Sequence, residues 1–320
     1  MDYKEFFEFK EPPFANAPDL RFYYDGYQYG STEKKLIHVV DQMGGLAVVV
    51  GGMGMGKSIL ARHVLDLLAE RGSEYEVGLI IMVHAQITAS WLLMKISSLL
   101  GVPESGNDKT VIIHYLFERL MQINEEGKKA VVLVDEANML QTKEIMEEFR
   151  GLLNLEVPGK KLITFIFFGM PGLDNCLKLD EPLRQRIALR INLKPLSLEA
   201  TSEYIKYRLS KADSGKVIFL EEAVKWIHAC SKGVPRLINI ICDNALFEGF
   251  LQRKKEIGPD IIKLVSGELM VEKYDFDAET VLQAESQNPG QKVNQDEKKP
   301  VSGEVKKDEQ GPAGPKVFIA

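Results

Sequence analysis

One segment constrains the fold more than any other. Residues 46–50 read Leu-Ala-Val-Val-Val and lead straight into Gly51-Gly52-Met53-Gly54-Met55-Gly56-Lys57-Ser58. This is GxxxxGK[ST] in full, with an apolar run before it and an amphipathic stretch over residues 58–71 after it. Such a context requires a buried strand, a glycine-rich turn and a helix in immediate succession. Glycines let consecutive backbone N–H groups converge on phosphate oxygens, and the helix start adds the positive end of its dipole. The candidate phosphate-binding residues are therefore Gly51, Gly52, Met53, Gly54, Met55, Gly56, Lys57, Ser58 and, in the first helical turn, Ile59. Lys57 is expected to contact the β- and γ-phosphates, and the Ser58 hydroxyl to ligate Mg²⁺.

A strand of this kind needs parallel neighbours. Short apolar runs at 78–83, 130–134, 162–168 and 187–193 alternate with helical patterns at 87–100, 109–124 and 143–155. Strand–helix alternation of this type predicts a doubly wound α/β core with a parallel sheet of five strands. The run at 130–134 ends on Asp135-Glu136, so a buried strand delivers two carboxylates to its C-terminal end, where ligands of open α/β sheets bind. Asp135 suits the Mg²⁺ shell, and Glu136 suits orienting and deprotonating a water. No NKxD sequence is present to read guanine, and Asp135 does not open a DxxG, so ATP is the expected nucleotide.

After Pro195 the pattern becomes wholly helical, at 197–211, 220–231, 236–252 and 259–264, which predicts a small helical lid. The expected division is an amino-terminal strap over residues 1–40, a nucleotide-binding core over 41–196, the lid over 197–271, and a linker and disordered charged tail over 272–320. From Glu285 onward the tail is Gln, Lys, Glu, Gly and Pro, with Phe318 its only aromatic, too little apolar surface to offset the entropy of ordering. Its last residues, Val317-Phe318-Ile319, are read as a terminus without a role rather than as a docking peptide.

Composition narrows the classes further. A net charge of -6 gives no global field to attract DNA or anionic lipid. Cys176, Cys230 and Cys242 form no CxxC pair and the five histidines are scattered, which argues against disulfide frameworks and metal centres. No apolar stretch approaches the ~20 residues of a membrane span and no leader opens the chain, so a cytoplasmic protein without a transmembrane segment is expected.

Further motifs carry a family resemblance. Phe6-Phe7, Pro13-Phe14, Pro18-Asp19, the phosphate loop, Val134-Asp135-Glu136-Ala137 and Leu153-Asn154-Leu155-Glu156 are followed by Gly169-Met170-Pro171, Arg184-Gln185-Arg186-Ile187, Lys194-Pro195-Leu196-Ser197 and Gly233-Val234-Pro235-Arg236-Leu237-Ile238-Asn239. In this order they resemble the ExeA/GspA-like AAA+ ATPases of general (type II) secretion, over roughly residues 1–265. The resemblance implies an AAA+ P-loop NTPase core with a helical lid, ATP hydrolysis, and self-association into a ring or arc. It assigns Arg236 to sensing the γ-phosphate from the lid, Arg186, with Arg184 as substitute, to an arginine finger offered to a neighbour, and Phe14 with Pro18 and Asp19 to covering the base.

Two departures bear on function. Met170 stands where the family commonly has Gln, a polar sensor near the attacking water, so hydrolysis is expected to be slow. The secretion proteins also commonly carry a transmembrane helix and a peptidoglycan-binding domain beyond the lid, where here only a charged, disordered tail is expected. The leading expectation is an ATPase that remodels, or signals to, a protein partner of a secretion or envelope-assembly system. The alternatives are a DNA-bound ATP switch resembling transposition-associated AAA+ regulators, and a nucleotide-gated scaffold that barely turns ATP over.

Overall fold

The computed structural model describes residues 2–269, apart from residues 85, 104, 105, 107 and 214–216, together with residues 316–319. The core is a parallel sheet of β1 (Leu46–Val50), β2 (Tyr75–Ile81), β3 (Lys129–Asp135), β6 (Ile163–Gly169), β7 (Ile187–Asn192) and β8 (Lys316–Ile319), in the order β7-β1-β6-β3-β2-β8. The five strands expected from the sequence are all present, and the sixth comes from the C-terminus. β1, β3 and β6 hold the centre, and because side chains alternate across a sheet they feed two cores. Ala47 and Val49 join one hydrophobic cluster, while Leu46, Val48 and Val50 join the other.

The helices on each face follow the sequence pattern, with shifted ends. α4 (Ala89–Leu99) begins after the capping Thr88, and α5 (Lys109–Glu125) begins after the capping Asp108. The pattern expected to be helical through 155 stops at Leu152 in α6 (Lys143–Leu152). A two-stranded hairpin follows, β4 (Glu156–Val157) with β5 (Lys160–Lys161), around Pro158 and Gly159, whose φ of 77° suits a tight turn. On the opposite face, α2 (Tyr27–Asp41) and α3 (Lys57–Glu70) pack with the strap and the helices beyond Pro195.

Those later helices are α9 (Leu198–Lys211), α10 (Glu221–Ser231), α11 (Pro235–Leu251) and α12 (Pro259–Glu268). They pack on one another and on α1 (Tyr3–Phe7). The amino-terminal residues are bound chiefly to this helical unit. Tyr3 donates to Asp243 at 2.9 Å, Tyr24 to Glu203 at 2.9 Å, and Arg208 to the carbonyls of Pro13 and Ala15 at 2.6 and 3.0 Å.

The tail expectation divides. Residues 270–315 lie outside the described residues. Residues 316–319, expected to be disordered, form β8 instead, because β2 offers them an open edge and Phe318 packs against the second core cluster. Among the described residues, no helix is long and apolar enough to cross a membrane.

Candidate functional site

The loop between β1 and α3 is shaped by its glycines. Gly54 and Gly56 adopt φ of 76° and 73°, conformations that L side chains enter only at a cost. A Cβ at Gly54 would also stand 2.8 Å from the Cβ of Arg236, so this glycine lets the lid approach the loop directly. The approach is a bonded one: the Arg236 N–H donates to the Gly54 carbonyl at 3.2 Å. Tyr29 reaches the same loop from α2, its hydroxyl donating to the Met55 carbonyl at 3.1 Å.

Lys57 is buried, and its Nζ donates to the carbonyls of Gly51 and Gly52 at 3.0 and 2.9 Å. Burial pushes its pKa below the ordinary lysine value, against which the carboxylates of Glu136 and Asp135 pull it back up. The ammonium thus sits inside the glycine cradle, within the field of the carboxylates at the end of β3, one strand removed from β1.

At the end of β3 the backbone turns sharply. Asp135 is buried and accepts the Glu136 N–H at 3.0 Å. Glu136 adopts φ 54° and ψ 37°, the left-handed region, and starts a short 3-10 turn over Ala137–Met139. A non-glycine residue there carries strain of roughly 1–3 kcal/mol, which the surrounding bonds must hold. Asn138 supplies one of them, its Oδ1 accepting the Met170 N–H at 2.8 Å and so tying this turn to the end of β6.

These pieces enclose one cavity of about 500 Å³. Met53 to Ile59, Glu136, Met170 and Arg236 line it together. Gly51 and Gly52 hold Lys57 from beneath, and Asp135 lies behind Glu136. Phe14 is placed elsewhere: it is fully buried, with its ring edge-on to Phe219 at 6.0 Å, and residues 15–18 after it form the wall. Asp19 caps a 3-10 turn and pairs with Arg21. Arg186 stands just before β7, outside the lining, and Arg184 pairs with Glu181 on α8 (Glu181–Arg184).

The rest of the lining carries residues that the sequence reading did not single out. Tyr23, Tyr29, Tyr204, Arg208 and Asn239 make an aromatic and polar chamber beside the loop. Arg208 is buried, stacks over Phe22 at 4.6 Å, and spends its hydrogen bonds on backbone carbonyls rather than on an acid. The Tyr23 hydroxyl is buried with no hydrogen-bond partner among the described residues, and its ring stacks on His63 with centroids 3.8 Å apart. Burial pushes the phenols of Tyr23, Tyr29 and Tyr204 up, so each remains a neutral donor at ordinary pH. Only Asn239 left a signal, as the last residue of Gly233-Val234-Pro235-Arg236-Leu237-Ile238-Asn239; its Oδ1 accepts the Tyr204 hydroxyl at 2.9 Å.

The donor set fits a nucleoside triphosphate with Mg²⁺: glycine N–H groups in a cradle, a buried lysine, a serine hydroxyl, paired carboxylates, and an aromatic chamber beside them. Residues 40–177 match the AAA domain family. General secretion pathway protein A of Aeromonas hydrophila is 33% identical over 279 residues, 85% of this chain and 48% of that protein, which bears out the resemblance read from the motifs. An uncharacterised HTH-type transcriptional regulator of Methanocaldococcus jannaschii is 28% identical over 168 residues, 48% of this chain and 40% of that protein. The chain spans about half or less of the length of these curated relatives. Among solved structures, the ORC2 protein of Aeropyrum pernix in its ADPNP-ADP complexes aligns with a TM-score of 0.59 at 14% identity, over 81% of this chain and 72% of that one. The ORC1 protein of the same organism in complex with DNA aligns at 0.58 and 15%, over 82% and 70%. At such identities these two speak for the fold alone, an AAA+ α/β fold.

Proposed function

From the premise that the chain carries an AAA domain, we propose that it binds ATP in this cavity and hydrolyses it, using the energy to change how its lid and neighbouring subunits are held. The observation that carries the reading is the convergence of Lys57, Ser58, Glu136, Met170 and Arg236 on one glycine-cradled cavity. Glycine N–H groups and Lys57 take the phosphates, with Nζ exchanging the Gly51 and Gly52 carbonyls for phosphate oxygens. Ser58 and Asp135 would hold Mg²⁺, which when bound neutralises charge on the β- and γ-phosphates. Glu136 accepts the proton of the attacking water, and Arg236 reports the γ-phosphate to α11, on which it stands. The chamber lined by Tyr23, Tyr204 and Arg208, with residues 15–18, takes the base.

The reading extends to organisation. The strap over 1–40, core over 41–196 and lid over 197–271 act as three parts around the nucleotide, and Arg186 acts across an interface in a homo-oligomer, a ring or arc. Similarity to a general secretion protein supports a secretion or envelope-assembly partner. ATP turnover and sizing of the purified protein, with and without duplex DNA, test all of this. Turnover with ATP-dependent assembly, indifferent to DNA, is expected. Assembly that requires DNA would favour a DNA-bound switch, and binding without turnover a nucleotide-gated scaffold.

A further inference from the structure

We propose that the open edge of β2 is a peptide-binding site for an extended segment, and that the chain's own C-terminal strand, Lys316–Ile319, is its resident occupant within the same molecule. The register is parallel and continuous: Gly78 faces Lys316, Leu79 faces Val317, Ile80 faces Phe318 and Ile81 faces Ile319. Without β8, the edge of a strand that is apolar from Val77 to Ile81 would present unpaired N–H and C=O groups, a template for any passing strand. The anchor is Phe318. It packs against the second core cluster beside α4, while Val317 and Ile319 on the alternate positions remain 47% and 73% exposed. Lys95 on α4 clasps it, with Nζ 5.1 Å from the Phe318 ring and 5.7 Å from the Trp91 ring. The groove therefore selects an aromatic residue at the Phe318 position, with main-chain hydrogen bonds supplying sequence-independent affinity.

Occupation within one molecule follows from the tether. Residues 270–315 separate α12 from β8 and span on the order of 150 Å when extended, enough to reach this edge. A tethered segment that can span to its site competes at an effective concentration of millimolar order, far above a second copy at micromolar concentration. A foreign segment of the same chemistry must displace this strand to bind.

The test compares the full chain with its Phe318→Asp and Phe318→Leu variants, without nucleotide, by amide hydrogen exchange, sizing, and binding of a fluorescein-labelled peptide of residues 312–320. Residues 78–81 should exchange at least tenfold faster in Phe318→Asp and at an intermediate rate in Phe318→Leu, with residues 130–134 unchanged as the folding control. The labelled peptide should bind Phe318→Asp at least tenfold more tightly than wild type, and a peptide carrying the same Asp should bind neither. Equal exchange at 78–81 in all three chains would overturn the proposal, as would failure of Phe318→Asp to take up the peptide. A wild-type chain that elutes as a larger species, reduced to a single chain by Phe318→Asp, would overturn occupation within one molecule.

Discussion

Lys57 and Glu136 face one cavity, and the proposed function gives them different stages that substitution separates. Lys57→Ala removes a charged donor to the phosphates and should weaken nucleotide binding roughly 10- to 100-fold, read by titration with a fluorescent ATP analogue. Glu136→Gln keeps the shape and loses the base, so affinity should hold while phosphate release falls about 10²- to 10⁴-fold. Met170 is the residue at which chemistry and scaffold diverge: its backbone is pinned by Asn138 while its thioether lines the cavity. Met170→Gln should raise turnover roughly tenfold, since a donor there would stabilise charge that develops at the γ-phosphate. A lower or unchanged rate in a steady-state phosphate assay would show that another group already fills that role. The glycine-lysine loop and the acidic pair were legible because each is a local string with one physical use. Arg208 and Tyr23 were not, because their parts come from distant chain: Arg208 meets Pro13 across 195 positions, and nothing near either residue announces it.

Between elements, two glycines set how the lid meets the core. Gly233 has φ 69°, and a Cβ there would collide with the backbone carbonyl of Leu196, whose N–H donates to the Gly233 carbonyl at 2.8 Å. Gly233→Ala should cost at least ~2 kcal/mol and lower the thermal midpoint by several degrees in a calorimetric scan. Gly54→Ala acts differently. It should push Arg236 and the start of α11 off the phosphate loop, costing nucleotide affinity more than thermal stability, as parallel titration and melting would reveal. Four strands of the sheet were readable from their unbroken apolar runs and the helices from their periodicity, whereas the caps that set the helix starts, Thr88, Asp108, Thr142 and Ser197, went unread. The hairpin at 156–161 and β8 were hidden for a common reason: two- to four-residue strands carry no period, and only the neighbour that pairs with them gives them shape.

Across the whole molecule, self-association makes the sharpest demand on the proposed chemistry. Arg186 lies outside the cavity lining, and the proposed reading gives it to a neighbour's nucleotide. Arg186→Ala should then retain ATP binding and lose most turnover, and mixing it with Glu136→Gln should restore part of the rate, because some interfaces pair an intact base with an intact guanidinium. A flat rate across all mixing ratios, with mixed oligomers confirmed by sizing, would mean that Arg186 does not act across the interface and would direct attention to Arg184. The strap that closes one side of the chamber bears on how the protein comes to exist at all. Tyr3 bonds to Asp243 and Arg208 to Pro13 and Ala15, so residues 3–15 find their partners only when the helices beyond Pro195 have been made. Strands β1 to β7 can pair while synthesis continues, but the chamber that Tyr204 and Arg208 line cannot form. A nascent chain is therefore unable to close this cavity before its helical unit is made, and closure belongs to the late stages of its biogenesis.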